Sequence, residues 1–386
     1  MIGLTNGDYS PRPSMEGDCL KILKFFAVDI FNPKIVRFFL WIMLLYHVVF
    51  TLVTAYFMLY VLSNSEIIGY TPAFLGNFYP MLCVWSVLFI SRLIYVKEDM
   101  PLWAIDTAGA KVQASIKRKI FLYTAFGIFN LVLSLSAGSF YLKNVSEDVN
   151  VFLALRIFRD YFPNYYQVLD LIYRLIYFCF SYLMVAPSYL LIYYILHVRI
   201  QAIIFAAYVA HIDGHSDYGT DIDLFDNEEF QSEVERRFKF CIKRQIEFLL
   251  MESKKLSQIS NLIAAFSLAG CLFGISIIFH LFTGQLIQEY YFRIGLTSLA
   301  AIATFSAFIY TGQSTEVQIE LVDNAIDNLC WYNFNRSNKL LYLIAKADLA
   351  RVRKIKFSGQ WAVNYDLGFA IVKGIYSIIS VVVSMW

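Results

Sequence analysis

Seven long apolar runs alternate with connections in which the polar and charged residues gather. They fall at 39–62, 73–96, 120–142, 171–196, 262–283, 292–311 and 367–386. A helix needs about 20 apolar residues to cross a bilayer, so the pattern predicts an all-α integral membrane protein with seven transmembrane helices. The charged residues within the runs are Arg92, Arg174, Arg293 and Lys373. All but Lys373 lie about a turn from an end, where a long side chain reaches the headgroups. Two connections also carry helical periodicity. In one, Phe238, Ile242, Leu249, Leu256, Ile259 and Ile263 recur on one face and predict a helix leading into the fifth run. In the other, from about 315 to 347, Val317, Leu321, Ile326, Leu329, Leu340, Leu341 and Ile344 form the expected buried set. A polar break at 333–338 interrupts it. These segments predict a cytoplasmic helical anchor bundle. The sequence leaves open whether they pack within one subunit or between subunits.

Charge gives the orientation. The N-terminal segment and the second, fourth and sixth connections hold 25 Lys and Arg residues; the other side holds only Lys143, Arg156 and Arg159. The positive-inside rule then predicts a cytoplasmic N-terminus and an extracellular C-terminus, inverted relative to a G-protein-coupled receptor. The expected organisation is a cytoplasmic segment at 1–38 and six transmembrane helices over 39–311, with a cytoplasmic connection and helix at 198–261. An anchor region at 312–365 and the seventh helix at 366–386 follow. Asp8, Pro11, Pro13, Glu16 and Asp18 do not suit a signal peptide, so the first span is expected to act as the insertion signal. Asn144-Val145-Ser146 falls outside on this topology and is the expected glycosylation site; Asn335-Arg336-Ser337 falls inside.

Composition agrees. The chain is 59% hydrophobic and 16% charged, with mean hydropathy +0.56; soluble domains carry about 25% charged residues. The lipid bilayer is the expected solvent for most of the apolar surface, and no nucleic-acid partner is expected. None of Cys19, Cys83, Cys179, Cys241, Cys271 and Cys330 falls in an external loop, so no disulfide is expected. The acidic stretch at 211–229 lacks EF-hand spacing and reads as a solvated loop. No catalytic motif, paired intramembrane carboxylate or metal-ligand pattern is present, and no enzyme activity, metal or cofactor is expected.

What the spans offer is aromatic and small residues together, a lining suited to an uncharged organic molecule. The candidate ligand-binding residues in the outer halves are Met81 and Trp85; Leu133, Ser136, Ala137 and Phe140; Tyr173, Tyr177, Phe178 and Ser181; and Ile275 and Phe279. In the last span Ile379 and Val383 share a face. Several copies around an axis would make a narrow apolar ring able to gate a pore by dewetting.

Gly312, Trp331-Tyr332, Lys339-Leu340-Leu341, Ile344, Gly359, Phe369 and the run from Lys373 to Tyr376-Ser377 resemble the insect odorant receptors, the Tyr-Ser pair being the most specific element. The match in motifs occupies about the last third of the chain; the rest agrees in layout. Gln245 departs from a histidine common in the family, and the proline that many members have near 347–352 is absent. The resemblance implies a ligand-gated, non-selective cation channel in the plasma membrane of olfactory sensory neurons. It implies four subunits joined through the cytoplasmic helices around a pore lined by the last span. It places Ile379, Val382 and Val383 at the gate and a small volatile ligand in the outer halves of spans two to six. The short connection at 198–261 fits the odorant-tuned subunit of a heterotetramer, with a longer co-receptor as partner. The alternatives are a gustatory-type homotetramer and a G-protein-coupled chemoreceptor. The first departs from the residues because Val382 stands where gustatory receptors carry Gln after Tyr376. The second would need an Asp/Glu-Arg-Tyr motif after the third span, which is absent.

Overall fold

The computed structural model describes residues 18–90, 102–213, 224–251, 257–283, 288–349, 356–357 and 361–384. They form helices joined by short turns, with one two-residue strand pair. In order these are α1 (Lys21–Ala27), α2 (Lys34–Tyr60), α3 (Asn64–Gly76), α4 (Phe78–Ile90), α5 (Ala110–Phe140), α6 (Asp148–Val151) and α7 (Leu153–Tyr161). Then come α8 (Tyr166–Leu183), α9 (Ala186–Val209), α10 (Glu228–Met251), α11 (Ser257–Thr283), α12 (Gln288–Asp327), α13 (Arg336–Leu349) and α14 (Tyr365–Ser384). The antiparallel strands β1 (Lys356–Phe357) and β2 (Trp361–Ala362) precede α14. Among the described residues, five segments are long and apolar enough to cross a membrane: α2, α3 with α4, α5, α8 with α9, and the Tyr290–Ser314 part of α12. Ala265–Phe279 in α11 is a shorter apolar stretch, and α14 is not among the five.

Two predicted spans are broken rather than continuous. The second divides at Asn77, between α3 and α4, and the fourth at Met184-Val185, between α8 and α9. Pro80 and Pro187 lie just inside the second helix of each pair, where the missing N–H is tolerated. The freed backbone finds side chains. His47 of α2 donates from Nε2 to the Asn77 carbonyl at 2.8 Å, and Tyr79 donates to the Met184 carbonyl at 3.0 Å.

Two other helices run past their sequence boundaries. α9 continues to Val209, beyond the expected start of the connection at 198, and is buried along nearly its whole length. It is apolar all round, as a central helix must be. α12 runs through the boundary at 311–312 as one helix of 40 residues, about 60 Å long. That is twice the hydrocarbon thickness of about 30 Å, so the span and its amphipathic extension are one rod. The break comes at 328–335 rather than 333–338, at the turn Trp331–Asn333.

The inner half is an anchor of α1, α9, α10, α13 and the end of α12. Gln231 of α10 donates to the carbonyls of Leu224 and Asn333, both at 2.8 Å. It accepts from the Asn335 N–H at 3.0 Å and from Asn338 at 2.8 Å. The Trp103 backbone pairs with Gln201 at both N–H (2.9 Å) and carbonyl (3.2 Å), under the Arg244 guanidinium 4.3 Å from the indole ring. The expected buried set of the last anchor segment divides. Ile326 and Leu329 are buried, but Val317, Leu321, Leu340 and Ile344 are exposed. With Leu343 they leave an apolar face on α12 and α13 that this chain alone does not cover.

α14 enters through a close contact. A Cβ on Gly312 would overlap the Val363 carbonyl oxygen and Cγ1 and lie 2.8 Å from its Cβ. The Tyr365 N–H donates to Gln313 at 3.2 Å, and Asn364 caps the helix by accepting from the Leu367 N–H at 3.1 Å. Gly312→Ala is expected to destabilise the protein by about 1–3 kcal/mol through overpacking. Gly295→Ala, on the same helix with open space around it, is expected to leave the melting temperature unchanged or raise it. Equal effects of the two would remove the close approach as a constraint.

At the N-terminal end Asp18 accepts from His197 at 3.0 Å and from the Tyr193 hydroxyl. Burial pushes its carboxyl up, but the hydrogen bond and charge of His197, with Tyr193 and the Leu20 N–H, bring it down from 3.8 to about 2. A depressed carboxyl contributes stability that is complete above the unfolded value and lost as pH falls toward the folded one. Asp18→Asn is therefore expected to lower the melting temperature at pH 7, and the difference from the native chain should shrink between pH 4 and 2. A constant difference over that range would show that the carboxylate charge is not what stabilises.

Candidate functional site

Among α2, α3, α4, α5, α8, α9, α11, α12 and α14 lies a cavity of about 480 Å³. Ligand pockets commonly measure about 300–1,000 Å³. Among the described residues, no Asp, Glu, Lys or Arg lines it. Its walls are built from helical stripes. Ser134, Ala137, Gly138 and Tyr141 come from α5 and the residue after it; Tyr177, Phe180 and Ser181 from α8; Phe266, Gly270, Phe273 and Gly274 from α11; and Thr297, Ala301, Thr304 and Phe308 from α12. Ile371, Val372 and Ile375 of α14 complete the wall, so the last helix touches the same space as the other spans. Gly138 lets α5 and α8 meet, since a Cβ there would lie 2.6 Å from that of Ser181.

Six hydroxyls on this wall are already engaged as donors. Ser134 donates to the Ser181 carbonyl, Ser181 to Phe178, Ser276 to Pro72, Thr297 to Arg293, Ser298 to Ile294 and Thr304 to Ala300. Thr304 also accepts from Asn130 Nδ2 at 2.7 Å. A side chamber of about 30 Å³ adjoins the cavity, lined by Tyr46, Thr54, Tyr70 and Tyr173 among others. His47, Ala73, Asn77, Phe152, Tyr177 and Phe180 border both spaces.

An ion cluster sits at the connection that follows α5, next to the cavity-lining Tyr141 and Ile294. Asp148 of α6 is 1% exposed and pairs with Arg174 of α8 at 2.7 Å and with Arg293 of α12 at 2.9 Å. Tyr290 donates to it as well. Arg174 also pairs with Asp170 at 2.9 Å and donates to the carbonyls of Tyr141 and Lys143 and to Asn144 Oδ1. These contacts hold the connection after α5 over the cavity, and Phe152, between α6 and α7, reaches into its wall. At the inner end Asp18, Cys19 and His197 bring a carboxylate, a thiol and an imidazole within 4.8 Å of one another. His197 already bonds Asp18, and burial beside that carboxylate pushes the thiol up to about 12, a state suited to a hydrogen-bonded clamp rather than to a thiolate ligand.

Of the residues proposed from sequence, Ala137, Tyr177 and Ser181 line the cavity and Tyr173 lines the side chamber. Met81, Trp85, Leu133, Ser136, Phe140, Phe178, Ile275 and Phe279 do not. Trp85 and Phe140 are exposed at the outside of the bundle, against Phe89 and Phe292. On α5 the stripe named from sequence is rotated from the one that lines the cavity. The stripe at 133, 136, 137 and 140 is one position from the lining stripe at 134, 137, 138 and 141, a turn of about 100° about the axis. Sequence reasoning missed His47 and all of α12, although Thr297, Ala301 and Thr304 carried a small-polar stripe at helical spacing. Ile379 is half-buried on α14 with Tyr376 and Ser377 exposed; the side chains of Val382 and Val383 lie outside the described residues.

No family model matches this sequence, and no curated protein does. The structure does have close likenesses. It superposes on the insect olfactory receptor OR5 from Machilis hrabei with a TM-score of 0.63, covering 95% of this chain and 97% of the other at 8% identity. The same receptor in complex with eugenol gives 0.61 over the same coverage, at 9% identity. The fold is that of an insect olfactory receptor. At this identity the match lies in backbone geometry over almost the whole length.

Asp148→Asn is expected to destabilise the protein by about 3 kcal/mol or more, because it leaves Arg174 and Arg293 buried with too little countercharge. The check is thermal unfolding of the purified full-length protein. An unchanged melting temperature would mean that the cluster does not hold the connection after α5 in place.

Proposed function

We propose that this chain is an odorant-tuned receptor subunit of a ligand-gated, non-selective cation channel. On this reading a small, uncharged volatile organic molecule binds in the 480 Å³ cavity. The observation that carries the proposal is that this neutral cavity has the last helix as part of its wall. A ligand that fits better when Ile371, Val372 and Ile375 shift outward stabilises the shifted arrangement, and only such differential affinity can drive opening. Gly274 gives a second link, since a Cβ there would touch Ile375 Cδ1 at 3.0 Å.

Assembly follows from the uncovered faces. α14 leaves Phe369 and Tyr376 over 70% exposed, and the anchor leaves Leu340, Leu343 and Val317 in the open. Apolar faces outside the lipid need a partner. The proposed arrangement is a heterotetramer with a co-receptor, joined through the anchors, with Ile379, Val382 and Val383 narrowing a central pore. The N-terminus lies in the cytoplasm, the C-terminus outside, and Asn144 is the external glycan acceptor. The site is the plasma membrane of olfactory sensory neurons. The likeness to a receptor solved with eugenol supports a small-molecule ligand here as well.

The test is whole-cell current under a panel of small volatiles, from cells expressing the chain alone and with an insect odorant co-receptor. A volatile-evoked cation current that requires the co-receptor and survives G-protein blockade is expected. Current from this chain alone would overturn the co-receptor dependence in favour of a homotetramer. Silence in both cases, with surface expression established, would overturn the channel reading.

A further inference from the structure

His47 is out of keeping with the rest of α2. The helix otherwise turns large apolar residues outward, yet His47 is buried with its ring edge-on to Phe180 at 4.8 Å. Its Nε2 lies 2.8 Å from the Asn77 carbonyl oxygen. A carbonyl only accepts, so Nε2 holds the proton, and in the uncharged ring Nδ1 is left as a pure acceptor. Among the described residues nothing is recorded donating to Nδ1.

Six of the serine and threonine hydroxyls on the wall, and that of Tyr79, donate to backbone carbonyls, so none of these seven has its proton facing a ligand. His47 also borders the side chamber with its tyrosine and threonine hydroxyls, a space large enough for one or two waters. The wall is aliphatic where Ile371, Val372 and Ile375 of α14 form it, and α2 contributes the His47 ring.

Taking the cavity as the ligand site, as proposed above, we infer that His47 is its specificity-determining acceptor and that the cavity selects uncharged ligands carrying a hydroxyl group. The hydroxyl donates to Nδ1 and the apolar body lies toward Ile371, Val372 and Ile375 of α14. An ether or aldehyde of the same skeleton has no proton to give to Nδ1.

The experiment is equilibrium binding to the full-length protein in lipid nanodiscs, with 2-phenylethanol, its methyl ether and phenylacetaldehyde as probes. Hydrophobicity alone favours the ether by about fourfold, the value of one added methyl group. The expected order is reversed, with the alcohol about fivefold tighter than either analogue. An ether that binds as well as the alcohol or better overturns the inference, with no variant needed. His47→Phe should erase the preference while ether binding persists, and His47→Gln, which keeps an acceptor, should retain part of it. A full preference in His47→Phe overturns the role of His47. Binding with alcohol preference but without current in cells would leave this inference standing and remove the channel reading. Current evoked equally by alcohol and ether would do the opposite.

Discussion

The outer half of the molecule depends on Asp148 keeping two guanidinium groups satisfied away from water. Arg174 sits midway along α8 and Arg293 near the start of α12. Neither is affordable in a buried place without countercharge, and each makes further bonds to the connection that follows α5. One carboxylate thus fixes the spacing of two membrane helices and the position of the loop above them. A buried ion pair is weak evidence for net stability but strong evidence for a specified geometry. Here the specified geometry is the position of the connection after α5 relative to α8 and α12.

The inner half is specified by different means. Polar side chains there bond to backbone across the helices, as Gln231 does between α10 and the turn before α13, and Gln201 between α9 and the Trp103 segment. Such bonds fix register without demanding a buried charge. The two halves are joined by α9 and by the continuous α12, so the wall of the cavity and the wall of the anchor share helices. No flexible linker lies between ligand chamber and assembly surface along α12.

The all-helical class was legible because lipid demands long apolar helices and little else: the runs at 39–62, 120–142 and 292–311 each correspond to a helix. The breaks at Asn77 and Met184-Val185 were less so, since Pro80 and Pro187 announce them only to a reader who knows that side chains such as Tyr79 can take the freed carbonyls. The cavity was legible in chemistry and not in position. Small and aromatic residues pointed to an uncharged ligand, and among the described residues the lining carries no charged side chain. Rotation about a helix axis is another matter. In water the polar face of a helix declares which side is out; in lipid both faces are apolar, and α5 was read one residue out of phase. His47 was invisible for the same reason, since a lone histidine in an apolar run says nothing about which neighbour it meets. The exposure of Leu340 and Ile344 reflects a further limit: periodicity reports an apolar face, not whose chain covers it.

Asp148 and Arg293 are 145 residues apart in the chain. At roughly 5–20 residues per second of synthesis, the arginine emerges some 7–30 s after its partner. Throughout that interval the loop has only Arg174 and Asp170 to meet, and the chamber beneath it lacks a wall. The connection after α5 is therefore fixed late in synthesis, and a chain stalled before α12 leaves Asp148 one guanidinium short and the cavity one wall short.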